Sequence, residues 1–305
     1  MTEIVLPNVR KMFLTDPGSI QFEADLKGAD AWVVIYEAED EELKAIMKSG
    51  TDLHCFTGLT EVLTLNGWCR LDELSPLDSI VQFDKGTLQF TPMTAFNVFD
   101  TNEPLLRIMT KNTEHLVTQN HRILTYDVRH GYSNPEVLIA SEFIKSKNGS
   151  RRIPTAGLIQ GGIPLTEELL RLLVAVQADG SFQKNQIRFE FHREDKKWRL
   201  LWLLKALNVQ FDVRPYGIIL PDSQEVRLIE KFLGRKKLWN NNLLSLNATS
   251  MRIIVEELPY WDGWISGKTL FFEQTDRDEA VQWMHTIAHL IGKKASISRY
   301  GRRLR

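Results

Sequence analysis

Cysteine is scarce: the 305 residues contain two, Cys55 and Cys69. Two thiols cannot build the disulfide framework of a small secreted domain or a cysteine-rich metal cluster, which fits a reducing cytoplasm. Long apolar runs are also missing. No stretch approaches the roughly 20 residues of a membrane-spanning helix, and the N-terminus lacks a signal-peptide pattern. The sequence therefore predicts a cytoplasmic chain with no membrane partner. Overall charge of one sign is absent, with 38 Lys and Arg against 39 Asp and Glu. What remains is ordinary globular composition, 43% hydrophobic and 25% charged, in a length that suits two or three domains.

The balanced total conceals an asymmetry. Residues 1–54 hold 11 acidic and 5 basic side chains, whereas residues 181–240 hold 13 basic and 7 acidic. The stretch 291–305 adds six basic residues and no acidic ones. A basic back half is compatible with nucleic acid as a partner, and equally with a solvated surface.

Residues 55–158 carry short β-like runs broken by turn residues. Val62–Leu65 leads into Asn66-Gly67, and Ser79–Phe83 leads into Asp84-Lys85-Gly86, both hairpin signals. Leu105–Met109 and Glu114–Thr118 follow, so the region reads as all-β. Cys55 opens this region and Thr118-Gln119-Asn120-His121 closes its later strand. A cysteine heading a β-rich segment, with T-x-x-H further on, resembles the N-terminal splicing region of an intein. Leu71–Leu74, read as a strand-capping turn, and Pro92, read as the start of a further strand, extend the match. The resemblance implies the horseshoe-shaped Hint fold and a role for Cys55 as nucleophile. Its thiol would attack the carbonyl of His54 and convert an amide into a thioester. Thr118 and His121 would contact the scissile amide, with His121 the proton donor to the Cys55 nitrogen. Cys69 reads as core.

Residues 1–54 are too short to bury a core of their own. The stretch Asp25-Leu26-Lys27-Gly28-Ala29-Asp30, then Trp32-Val33-Val34 and Asp52-Leu53-His54, resembles motif A of family A DNA polymerases, the phage type in particular. The resemblance implies that Asp25 binds catalytic magnesium, though only in a complete polymerase, and that the host cell is bacterial or phage-infected. A helix N-cap is the plain alternative for Asp25.

Residues 159–305 begin after the glycine-rich bend Gly157–Pro164. Thr166 marks a helix start, and Leu169–Ala178 reads as a helix ending at Asp179-Gly180. A strand at Ile187–Phe191, a helix near Lys196–Leu207 and a strand at Val209–Val213 follow. After Asp262-Gly263 the order repeats: Thr269–Gln274, a helix near Asp278–Ile291, then Lys294–Ile297. Two Asp-Gly pairs heading matched repeats resemble the LAGLIDADG homing endonucleases. The resemblance implies an α+β domain with a pseudo-two-fold repeat, about 166–215 and 250–300. In it, Asp179 and Asp262 hold shared Mg²⁺ for hydrolysis of double-stranded DNA. It also implies a basic saddle of four-stranded repeats, and a phosphate-polarising lysine at Lys236 or Lys237, with the choice left open. Gln177 stands where the family often has an acid. Glu257, Pro259, Tyr260 and Trp261 fall on expected helix positions, where an interior proline costs about 3 kcal/mol.

The sequence thus reads as a multi-domain chain: 1–54 a polymerase palm fragment, 55–158 an intein Hint portion, and 159–305 an endonuclease. Its function would be the Cys55-initiated N–S acyl shift, with an embedded site-specific endonuclease. No C-terminal splicing block with a terminal asparagine is visible, so splicing in cis is not expected, and a C-terminal intein and polymerase fragment is the expected partner in trans. A monomer is expected otherwise. The alternative is a gene fragment with a decayed endonuclease that binds DNA without cleaving and does not splice.

Overall fold

The computed structural model describes residues 55–98, 104–109, 113–130, 135–145, 151–275, 278–300 and 303–304. The polymerase-like segment and Asp25 lie outside the described residues. His54–Arg305 is one of two compact units of the chain.

Turn chemistry sets the first sheet. β1 (Glu61–Thr64) and β2 (Gly67–Arg70) pair antiparallel across a two-residue link, Leu65-Asn66. Buried Thr64 braces that link: its Oγ1 donates to Gly67 O at 2.9 Å and accepts from Asn66 N at 3.0 Å. β3 (Ser79–Asp84) and β4 (Thr87–Pro92) pair across Lys85-Gly86, whose φ values of 45° and 92° put both turn residues in the left-handed region that matches the right-handed twist of the flanking strands. Leu71–Glu73 forms a 3-10 turn, as the sequence predicts. Pro92 closes β4 and does not open a new strand; lacking an N–H, it fits a strand end. A later two-residue strand, β10 (Leu158–Ile159), joins β4 in parallel and completes the sheet order β10-β4-β3-β1-β2.

A smaller β cluster lies between. β5 (Leu106–Met109) pairs with β6 (Glu114–Val117). β7 (Arg122–Asp127) sits between β8 (Pro135–Ile139) and β9 (Arg151–Arg152). The region is not purely β: α1 (Ala140–Lys145) buries Ala140 in a core of its own with Ile108, Val117 and Ile123.

From Glu167 onward the chain is mixed α and β. α2 (Glu167–Asp179) is apolar nearly all round, burying Leu169 through Gln177 apart from Arg171, as a central helix must. β11 (Gly180–Gln183), β12 (Gln186–Glu190), α3 (Glu194–Ala206), β13 (Asp212–Arg214), β14 (Gly217–Leu220) and α4 (Gln224–Leu233) follow. Their sheet order is β11-β12-β14-β13. The expected strand at Val209–Val213 is mostly loop, with the strand beginning at Asp212.

The second pass repeats the order. α5 (Ala248–Glu257) packs beside α2, with Asn247 as N-cap, accepting from Ser250 N at 2.8 Å. Then come β15 (Gly263–Ser266), β16 (Thr269–Phe272), β17 (Gln274–Thr275), α6 (Asp278–Leu290), β18 (Arg299–Tyr300) and β19 (Arg303–Leu304). These strands form a pair and a separate three-stranded sheet, so the second repeat lacks the expected single four-stranded sheet. Lys294–Ile297, read as a strand, is coil. Pro259 lies beyond α5, in the first turn of a 3-10 segment, Leu258–Tyr260. Its missing N–H costs nothing there, so the expected interior-proline penalty does not arise.

One large core unites these parts. Leu63 and Ile159 of the first sheet are buried with the helix residues Leu172, Ile254 and Ile287.

Candidate functional site

Two clusters of chemistry-bearing side chains stand apart in the described residues. The first surrounds Cys55. Residues Cys55–Thr57 run antiparallel to the end of β6, with a bridge between Phe56 and Val117. The Cys55 amide, the nitrogen of the peptide bond to residue 54, donates to Thr118 Oγ1 at 3.2 Å. Thr118 N returns a bond to Cys55 O at 3.1 Å. Thr118 and His121 are both buried. The turn that carries them is closed by His121 N donating to Thr118 O at 3.1 Å. It is held from outside by the start of α1, where Ala140 N donates to His121 O at 2.8 Å and Ser141 N to Gln119 O at 3.1 Å. The His121 ring meets the Phe56 ring edge-on, with centroids 4.1 Å apart.

His115, to which the sequence assigned no role, stands 6.2 Å from the Phe56 ring, and burial pushes its pKa down. It is a strand residue like any other in the sequence, so nothing there marked it. Cys69 behaves differently from a nucleophile. Burial, then Glu73, Asp78 and Asp72, raise its pKa and keep the thiol protonated. Neither cysteine is in a disulfide.

The second cluster lies at the feet of α2 and α5. Asp179 ends α2, and Asp262 follows the 3-10 segment after α5. Lys196, in the first turn of α3, reaches both: Nζ lies 2.9 Å from Asp179 Oδ2 and 3.8 Å from Asp262 Oδ1. Gln274 Nε2 donates to Asp262 Oδ2 at 2.8 Å. The two carboxylates that head the sequence repeats therefore share one cation. Each following glycine is required by close approach. A Cβ on Gly180 would come within 2.9 Å of the Val176 backbone, and one on Gly263 within 2.6 Å of Phe271 O. Gly180 has a φ of −74°, so its smallness matters here, not a left-handed turn.

The lysines separate clearly. Lys237 donates from Nζ to Ala178 O at 3.2 Å, at the foot of α2 beside Asp179, while Lys236 is exposed. Lys196 was not among the residues singled out from sequence. It sits in a charged run, Glu194-Asp195-Lys196-Lys197, that reads as a solvated helix start.

Above the aspartates a buried ion cluster ties three helices together. Glu257 is fully buried and accepts from Arg171 on α2, Arg199 on α3 and the Trp261 indole. Arg199 lies 4.0 Å from the Tyr260 ring centroid and 5.3 Å from that of Trp202. Gln177 is buried with neither amide atom hydrogen-bonded among the described residues.

No group of three or more His, Cys, Asp or Glu able to hold a metal occurs among the described residues. Two carboxylates are nonetheless a fitting donor set for Mg²⁺, which commonly takes one or two of them with water and substrate phosphate. The outward side of the sheet around β12 is not uniformly basic: Arg188 pairs with Glu190 at 2.8 Å and Arg214 with Asp212 at 3.6 Å. No helix among the described residues is long and apolar enough to cross a membrane.

No protein-family model matches the chain, and no curated protein does. Among solved structures it is similar to the N-terminal LAGLIDADG domain of DUF199/WhiA. Identity is 17% over 45% of this chain and 72% of that one, with a TM-score of 0.32. It is also similar to full-length DUF199/WhiA from Thermatoga maritima, at 18% identity over 47% of this chain and 52% of that one, with a TM-score of 0.32. The chain thus spans about half the length of the second. A likeness at that score does not by itself define a fold.

Proposed function

We propose that this chain carries out the first half-reaction of protein splicing, an N–S acyl shift at the peptide bond between His54 and Cys55. One observation carries the reading: the nitrogen of that bond donates to the buried Thr118 hydroxyl at 3.2 Å. That hydrogen bond fixes the orientation of the scissile amide against the buried turn that carries Thr118 and His121, where protonation of the nitrogen would remove its resonance with the carbonyl. The Cys55 thiol attacks the carbonyl carbon of residue 54, the C–N bond breaks, and a C–S bond replaces it. The freed nitrogen becomes an amine, with His121 assigned as its proton donor, and the thiol proton passes to solvent. The step is an isomerisation and needs no co-reactant. Ligation would fall to a C-terminal intein and polymerase fragment supplied in trans.

The test is mass spectrometry of the whole chain incubated with excess thiol. Release of residues 1–54 as a thioester, lost in Cys55→Ala and slowed about tenfold in Thr118→Ala, supports the reading. A chain that stays intact, alone and with a C-terminal partner, refutes it.

The convergence of Asp179 and Asp262 on one point favours a second activity for the back half, site-specific cleavage of double-stranded DNA within a LAGLIDADG-like fold. The two carboxylates would hold Mg²⁺, which supplies water activation and charge neutralisation at a scissile phosphate. Lys237, at the foot of α2, is the better placed of the two lysines to meet that phosphate. Supercoiled plasmid carrying the uninterrupted polymerase site should be linearised in magnesium. A gel shift without cleavage marks a decayed enzyme that only binds.

A further inference from the structure

The ammonium of Lys196 stands where the two carboxylates of the second cluster converge. Its Nζ is 2.9 Å from Asp179 Oδ2 and 3.8 Å from Asp262 Oδ1. The side chain has little freedom to leave: it is 13% exposed, against 24% and 28% for the two aspartates. It also lies 5.8 Å from the centroid of the Trp261 ring. Gln274 already engages the other oxygen of Asp262 at 2.8 Å. Lys196 is therefore the cation that sits between two facing carboxylates and offsets their mutual repulsion.

A metal ion and this ammonium would need the same oxygens and carry the same sign of charge, so one excludes the other. The geometry points to Lys196 as an internal competitor for the metal, closing the aspartate pair in the DNA-free chain. A phosphodiester brought to the pair offers the ammonium another anion. Metal entry is thereby coupled to arrival of DNA, and the free protein is kept from loading metal. This inference rests on the reading of Asp179 and Asp262 as a metal site.

The test is direct binding of Mn²⁺ to the full chain without DNA, followed by the electron paramagnetic resonance signal of free Mn²⁺. Lys196→Met should bind Mn²⁺ about tenfold tighter than the unaltered chain or more, since a like charge has left the site. Lys196→Gln, shorter and polar, serves as the second neutral variant if the methionine variant fails a circular-dichroism check of folding. Adding Asp179→Asn should abolish the gain. Equal Mn²⁺ affinity with and without the ammonium, with Asp179→Asn still lowering it, overturns the competition and leaves the metal site standing. Absence of Asp179-dependent Mn²⁺ binding in every variant overturns the metal site and this inference with it.

Discussion

Replacing Glu257 by glutamine removes the charge at the centre of the helix cluster while keeping its shape. Four bonds converge on that carboxylate. Arg171 Nη1 donates at 2.7 Å, Arg199 Nε at 3.0 Å and Nη2 at 2.5 Å, and Trp261 Nε1 at 2.9 Å. A glutamine offers one oxygen, and its amide group must face a donor, so at least one bond is lost outright. Removing one partner of a buried ion pair costs about 3–5 kcal/mol. The arginines keep 15% and 23% of their side-chain exposure, and Arg171 retains Glu167, so both can turn toward other partners. That places the loss at the lower end, about 3 kcal/mol. Arg171→Met leaves Glu257 with Arg199 and Trp261 and should cost less, about 1–2 kcal/mol. Urea unfolding followed by tryptophan fluorescence measures both. A loss under about 1 kcal/mol for Glu257→Gln, or a larger loss for Arg171→Met, would refute the reasoning.

Two further stability predictions follow from buried Gln177 and half-buried His285. Gln177→Met removes an amide with no bonded partner among the described residues and should stabilise the chain by about 1–2 kcal/mol in the same urea assay; a destabilisation would mean that the amide has a partner to lose. His285 is pushed down to about 4, first by burial and then by His289, whose ring centroid is 4.3 Å away and whose own pKa burial also lowers. An unfolded histidine titrates near 6.5, so between about pH 6.5 and 4 the unfolded chain binds more protons, and stability, full above that window, falls as pH drops through it. His285→Phe should flatten thermal stability over that range, and an unchanged slope would sink the assignment.

Much of the frame was legible in the sequence because turns and helix ends announce themselves locally. Asp84-Lys85-Gly86 gave its hairpin, Thr166 its helix start, and the two Asp-Gly pairs the feet of α2 and α5. Cys55, Thr118 and His121 proved to be neighbours because one strand pairing joins their segments. Contacts made only in three dimensions stayed hidden. Lys196 looks like one more charge at a helix N-terminus until α3 packs against α2. Glu257 looks like an awkward helix acid until two arginines from other helices reach it. Pro259 looked costly because the sequence does not show that α5 has ended two residues earlier. β11 and β15 went unread because each begins at the glycine taken as a turn, and β13 was misplaced because Val209–Phe211 is apolar without being paired.

The two residues of β10 decide where this chain could be pared down. Leu158 N donates to Gly86 O and Gln160 N to Leu88 O, both at 2.8 Å, so the segment is the outermost rung of the first sheet. On its other flank Gly157 N donates to His289 O at 3.0 Å. Gly161 and Gly162, with φ values of 78° and 83°, come next as a left-handed bend. A minimal version lacking the back half would therefore have to be trimmed after this bend, never before β10. It would also bare Leu63 and Ile159, together with Val81, Leu88 and Phe90 packed beside them, which now share the large core. Engineers would need to recolour that face with polar side chains, or the shortened protein would seek a new partner for it in its own copies.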